Sequence, residues 1–129
     1  MRGGPTLNAY AEIASGSLPR ERYPAAALSG VLTYIGWARR AIAKGDVPAA
    51  HQSLVAAQQI VAVLRGSLEH NVDPDMAGRL DGIYAYIQEQ LIRANVEKSE
   101  ALLAAVGPVV ASLRETWESA AERVLAGAG

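Results

Sequence analysis

The chain has 129 residues, the size of one ordinary domain, which argues against two independent units. Twelve basic residues oppose thirteen acidic ones for a formal charge of −1, so the basic excess of a nucleic-acid surface is missing. With no cysteine, disulfides, thiolate metal sites and cysteine nucleophiles are excluded. Half of the residues are hydrophobic, yet aromatics make up 5% and much of the remainder is alanine, the best helix former and a poor strand former. That composition points to an all-α protein and is too apolar for disorder.

In chain order, residues 1–23 read as a separate short segment. Gly3, Gly4, Pro5, Gly16 and Pro19 punctuate it, and Ala9, Tyr10 and Ile13 supply one turn of apolar surface. The segment has no apolar run behind its first basic residue, so no secretory signal is expected. Two readings stand: a frayed leader, or a mobile flap whose Tyr10 docks on the folded part and can be displaced.

Residues 24–126 carry four apolar stripes with helical spacing. The first, Leu28, Val31, Leu32, Ile35, Ala38 and Ile42, lies between Pro24 and Gly45 and predicts a helix over 24–44. Asp46 offers an N-cap, with Pro48 in the following turn, and Leu54, Ala57, Val61, Leu64 and Leu68 predict a helix over 47–69. The run His70-Asn71-Val72-Asp73-Pro74-Asp75 reads as a capping turn. A third helix over 74–95 presents Leu80, Ile83, Tyr84, Ile87 and Leu91. Ser99 caps a fourth over 99–125, with the seam Leu103, Val106, Val110, Leu113, Trp117, Ala120 and Val124. Gly107-Pro108 falls off that seam and predicts a kink rather than a break, and the tail beyond Ala126 should fray. Short connections force neighbours antiparallel, so the expected fold is an up-down four-helix bundle. Charged residues are expected to interrupt every apolar stretch, leaving no membrane span.

Catalysis finds little support. His51 and His70 sit at the two ends of the second helix, roughly 28 Å apart at 1.5 Å per residue, too far to share a metal. Neither has the surroundings of a phosphotransfer histidine. No Glu-x-x-His occurs, and Asp73 and Asp75 flank a proline in a turn, where capping outweighs metal binding. Arg39, Arg40 and Lys44 read as a solvated face that favours the helix dipole. No enzyme activity, cofactor or metal is expected. Paired alanines such as Ala56-Ala57 and Ala104-Ala105 leave more than one helix face small and apolar. Such grooves suit an amphipathic segment of another protein, although an alanine-rich core explains them equally well.

The stretch from Leu80 to Asn95, with Ile83-Tyr84-Ala85-Tyr86-Ile87, Leu91 and Ala94-Asn95, resembles the signature of the FliS family of flagellin export chaperones. Leu113-Arg114-Glu115-Thr116-Trp117 is similar to the family's Leu-Arg-Asp-Thr-Trp, and Ala38-Arg39-Arg40-Ala41-Ile42, Leu54-Val55-Ala56-Ala57-Gln58-Gln59-Ile60-Val61 and Ala9-Tyr10 fit its remaining pattern. The chain departs from it at Pro19-Arg20 and Ala27-Leu28-Ser29-Gly30, where the family has Ser-Pro and Leu-Tyr-Asp-Gly. The resemblance implies a cytoplasmic chaperone that covers the disordered C-terminal segment of flagellin, blocks early polymerisation and hands its client to the type III flagellar export apparatus. It implies a client surface of Ile83, Tyr84, Ile87, Leu91 and Asn95 with Leu54, Gln58 and Val61, and Tyr10 as the flap residue; Ile83, Ile87 and Leu91 read at least as readily as core alone, whereas Tyr84, Gln58 and Asn95 each keep a polar atom for a client backbone or a cap. The competing reading is a structural or regulatory bundle that forms a homodimer through its alanine-rich faces or binds another secretion client.

Overall fold

The computed structural model describes residues 16–128. A 3-10 turn, Arg20–Arg22, leads into four helices: α1 Tyr23–Ala43, α2 Val47–Gly66, α3 Pro74–Glu97 and α4 Glu100–Ala128. Among the described residues each helix packs on its two sequence neighbours, α4 closes on α1, and no contact crosses either diagonal. The result is a square, antiparallel four-helix bundle.

Local chemistry places the ends. Gly45 takes φ +74, a conformation open to glycine without Cβ strain, and lets the Asp46 N–H close on the Ala41 carbonyl at 2.8 Å. Asp46 Oδ1 then accepts from the Ala49 N–H and Asp73 Oδ1 from the Met76 N–H, each at 3.2 Å, and Ser99 Oγ accepts from the Leu102 N–H at 3.1 Å. All three caps fall where the sequence puts them. α2 stops at Gly66, three residues before the predicted end, with Ser67 Oγ bonded back to the Leu64 carbonyl at 2.7 Å. α3 runs two residues past Asn95 and ends on Lys98, a non-glycine residue at φ 50 whose Nζ folds back onto Asn95 Oδ1 at 2.8 Å. α4 is unbroken through Gly107-Pro108 and continues to Ala128, beyond the expected fraying point.

The core lies along the inner seams: Leu28, Val31 and Ile35 of α1, Leu54, Ala57 and Val61 of α2, Tyr84, Ile87 and Leu91 of α3, and Leu103, Val106 and Val110 of α4. The α4 seam drifts in its last turns. Ala121, not Ala120, is buried, and Val124 is 54% exposed. A seam stepping strictly by three and four lags behind a 3.6-residue helix, so over seven turns the inward face moves on by about one position.

α2 departs from the expectation about membrane spans. No charged residue falls between Val47 and Leu64, and by length and composition alone the helix could cross a membrane. In the bundle its Ala50, Leu54, Ala57, Ile60, Val61 and Leu64 are buried among the other helices, while His51, Gln52 and Gln59 face outward.

Candidate client-binding surface

The nine positions expected to bind a partner separate into distinct groups. Leu54, Val61, Ile87 and Leu91 are 0% exposed and Tyr84 is 1% exposed. These five are core, a correction to the expected surface: their spacing aims them at the bundle axis, so they have no area to offer in this conformation. Ile83 is 37% exposed and edges a groove between α3 and α4 formed with Pro108, Val109 and Ser112. Gln58 is half-buried on α2. Asn95 is half-buried and committed: its Nδ2 donates to His51 Nδ1 at 3.0 Å while its Oδ1 accepts from Lys98 Nζ, tying α3 to α2. Tyr10 lies outside the described residues.

The accessible apolar surface is instead a path over the outside of α3. Met76, Ile83, Tyr86, Ile92 and Val96 are all at least 37% exposed, and Val72, just ahead of the helix, is 74% exposed. With 3.6 residues per turn, Ile83 faces the α4 flank, Tyr86 points outward, and Ile92 and Val96 lie toward the α2 flank beside Asn95. The path therefore crosses the helix obliquely, between the charged residues Arg79, Glu89, Arg93 and Glu97. Sequence reasoning missed these positions. The signal was present, because a seam through Leu80, Tyr84, Ile87 and Leu91 makes 86, 89, 93 and 96 the outward positions, and Tyr and Val are misplaced there unless something covers them.

At the end of the bundle where α3 begins, a hollow of about 290 Å³ opens among Leu64, Leu68, Val72, Met76, Tyr84 and Trp117. Its floor is fixed by the Trp117 indole N–H, which donates to the buried Tyr84 hydroxyl at 2.9 Å. Burial holds the Tyr84 phenol above its usual range, opposed in part by that hydrogen bond. Beside it, the Arg65 guanidinium grips Asp81 (Nε to Oδ1 2.6 Å, Nη2 to Oδ2 3.2 Å) and holds that carboxyl below its ordinary value. The pair is solvent-exposed and fixes register between α2 and α3 more than it adds stability.

Among the described residues no three His, Asp or Glu side chains converge on a point that could hold a metal. What the surface offers is an apolar track and adjoining hollows on a rigid frame: the molecule is a helical-bundle binding module. Comparison with known proteins gives the class a family. The model of the flagellar protein FliS matches residues 5–124, and the chain belongs to the FliS family, which consists of export chaperones and not of catalysts. It is 28% identical over 92 residues to the flagellar secretion chaperone FliS of Bacillus subtilis, spanning 71% of this chain and 68% of that one. It is also 26% identical over 91 residues to the flagellar secretion chaperone FliSB of Pseudomonas aeruginosa, covering 70% and 72% of the two chains.

Proposed function

We propose that this flagellar export chaperone acts on flagellin in the cytoplasm, covering the disordered, amphipathic C-terminal segment until it reaches the type III export apparatus. The observation that carries the reading is the run of exposed apolar side chains along α3, from Met76 through Ile83, Tyr86 and Ile92 to Val96, on a helix whose inner seam is already satisfied. A segment built to associate with copies of itself is held monomeric by mass action when this track covers its apolar face. Ile83 and Gln58 remain client-contact candidates from the sequence, joined by Tyr86, Ile92 and Val96.

Calorimetric titration with a flagellin C-terminal peptide tests this. Binding should carry a negative heat-capacity change, as expected when a disordered segment orders and buries apolar surface. Absence of heat and of any change in sedimentation refutes it. A tight homodimer without peptide affinity would favour the structural-bundle alternative.

A further inference from the structure

On the α1–α2 side, away from the α3 track, a groove of about 530 Å³ opens near the turn joining those helices. Its side walls carry Tyr34 and Trp37, packed edge to face with centroids 5.3 Å apart and planes at 90°, followed by Arg40 and Lys44; Gln52 and Ser53 face them from α2, and alanines form the floor. Small floor residues with an aromatic corner make a seat for a large side chain.

Its charges are left open. Arg39 is taken by Glu100, and Asp46, the acid at the groove, is committed to the cap of α2. Neither Arg40 nor Lys44 has a carboxylate partner among the described residues. Arg40 folds back along its helix so that Nη1 lies 3.8 Å from where a side chain would begin at Gly36, while the residue itself lines the groove. Residues 23–66 hold four cations (Arg39, Arg40, Lys44, Arg65) against one acid, whereas residues 67–128 hold ten acids against five cations. Arg39 and Arg65 are paired with Glu100 and Asp81, so the uncompensated charge of this hairpin falls on Arg40 and Lys44, at the groove.

We propose that the α1–α2 groove docks a short acidic segment of a second protein, seating an aromatic or large aliphatic side chain on the Tyr34–Trp37 corner and its carboxylates on Arg40 and Lys44. The proposal goes beyond the flagellin reading, uses different helices, and stands or falls without flagellin.

The test titrates ¹⁵N-labelled full chain with the blocked peptide Ac-Asp-Glu-Phe-Leu-Asp-NH2 and its neutral sibling Ac-Asn-Gln-Phe-Leu-Asn-NH2. The chain has two tryptophans, so the Trp37 indole signal reports the groove while Trp117, hydrogen-bonded to Tyr84, serves as an internal reference. The acidic peptide should shift Trp37, Gln52 and Ser53 and leave Trp117 in place. The neutral peptide, or the R40E/K44E variant, should bind about ten-fold more weakly at low salt. If charge reversal disturbs the fold, raising salt on the unaltered protein replaces it and should weaken the acidic peptide alone. Equal binding of both peptides, no titration, or shifts confined to α3 overturns the proposal. So does a concentration-dependent Trp37 shift without peptide, which would assign the groove to a second copy of the chain.

Discussion

Replacing Ile92 and Val96 together by serine separates client contact from core. The two side chains are 45% and 81% exposed, and full burial of such a side chain contributes about 1.5–3 kcal/mol. A client that covers what remains open therefore gains about 0.7–1.4 kcal/mol at Ile92 and about 1.2–2.4 at Val96. Losing both should weaken the flagellin C-terminal peptide by roughly 20- to 500-fold at 1.4 kcal/mol per decade. By the same accounting, the parts of Ile92 and Val96 that the bundle already covers cost the folded state about 1–2 kcal/mol, less than a fully buried leucine. Leu91, one position before Ile92, behaves oppositely. It is 0% exposed, so Leu91→Ala should lower stability by about 2–5 kcal/mol and leave the affinity of the folded fraction intact. Calorimetry for binding and thermal unfolding for stability read the two quantities separately. Peptide affinity within about three-fold of the parent in the folded double variant would refute the α3 track as client surface.

Further substitutions test the frame. Asp46→Ala and Asp73→Ala should each lower stability by about 1 kcal/mol by chemical denaturation, and additively, since they cap helices at opposite ends of the bundle. Tyr84→Phe should lose about 0.5–1.5 kcal/mol with the Trp117 hydrogen bond. Because the Tyr84 phenol is held above its ordinary value of 10.0, its contribution is intact below that pH and declines as pH rises beyond it. Tyr84→Phe should flatten that alkaline loss, and an unchanged alkaline profile would count against the assignment. Pro108→Ala restores an N–H for the Ala104 carbonyl within α4 and should raise stability by about 1–3 kcal/mol, seen as a higher Tm.

The fold was readable because each of its determinants is local. Asp46, Asp73 and Ser99 cap by their own oxygens, Gly45 supplies a left-handed turn, and the seams follow helical spacing. Helix ends were less readable. The termination at Gly66 rests on Ser67 bonding backward, and the overrun to Glu97 rests on Lys98 accepting a left-handed conformation that its composition does not announce. Of the α3 residues expected at a surface, the sequence did not separate the exposed face from the buried one. Tyr84 and Tyr86 are neighbours of the same type, and a polar hydroxyl suggested accessibility for Tyr84. The deciding fact is the Trp117 indole 33 positions away, which satisfies that hydroxyl inside the core and leaves Tyr86 outside. The α1–α2 groove was invisible for a related reason: its aromatic corner reads as core spacing until Gln52 and Ser53 are brought opposite Arg40 and Lys44.

On the proposed flagellin reading, burial also limits how the client can lie. Five side chains on α3, exposed between 37% and 81%, amount to between two and three fully buried equivalents, or about 4–8 kcal/mol when covered. Association alone consumes an estimated 4–15 kcal/mol, and ordering a disordered segment a further 2–5. A client confined to α3, a helix about 36 Å long at 1.5 Å per residue, would therefore hardly be held. Net affinity requires the segment to leave the helix and continue onto neighbouring apolar ground. The hollow at Val72 and Met76 adjoins one end of the track, and the Pro108–Val109 groove flanks Ile83. A wrapping client of this kind draws its affinity from several weak stretches. Each can detach in turn, so release at an export gate needs no unfolding of the bundle, whose core is complete without the client.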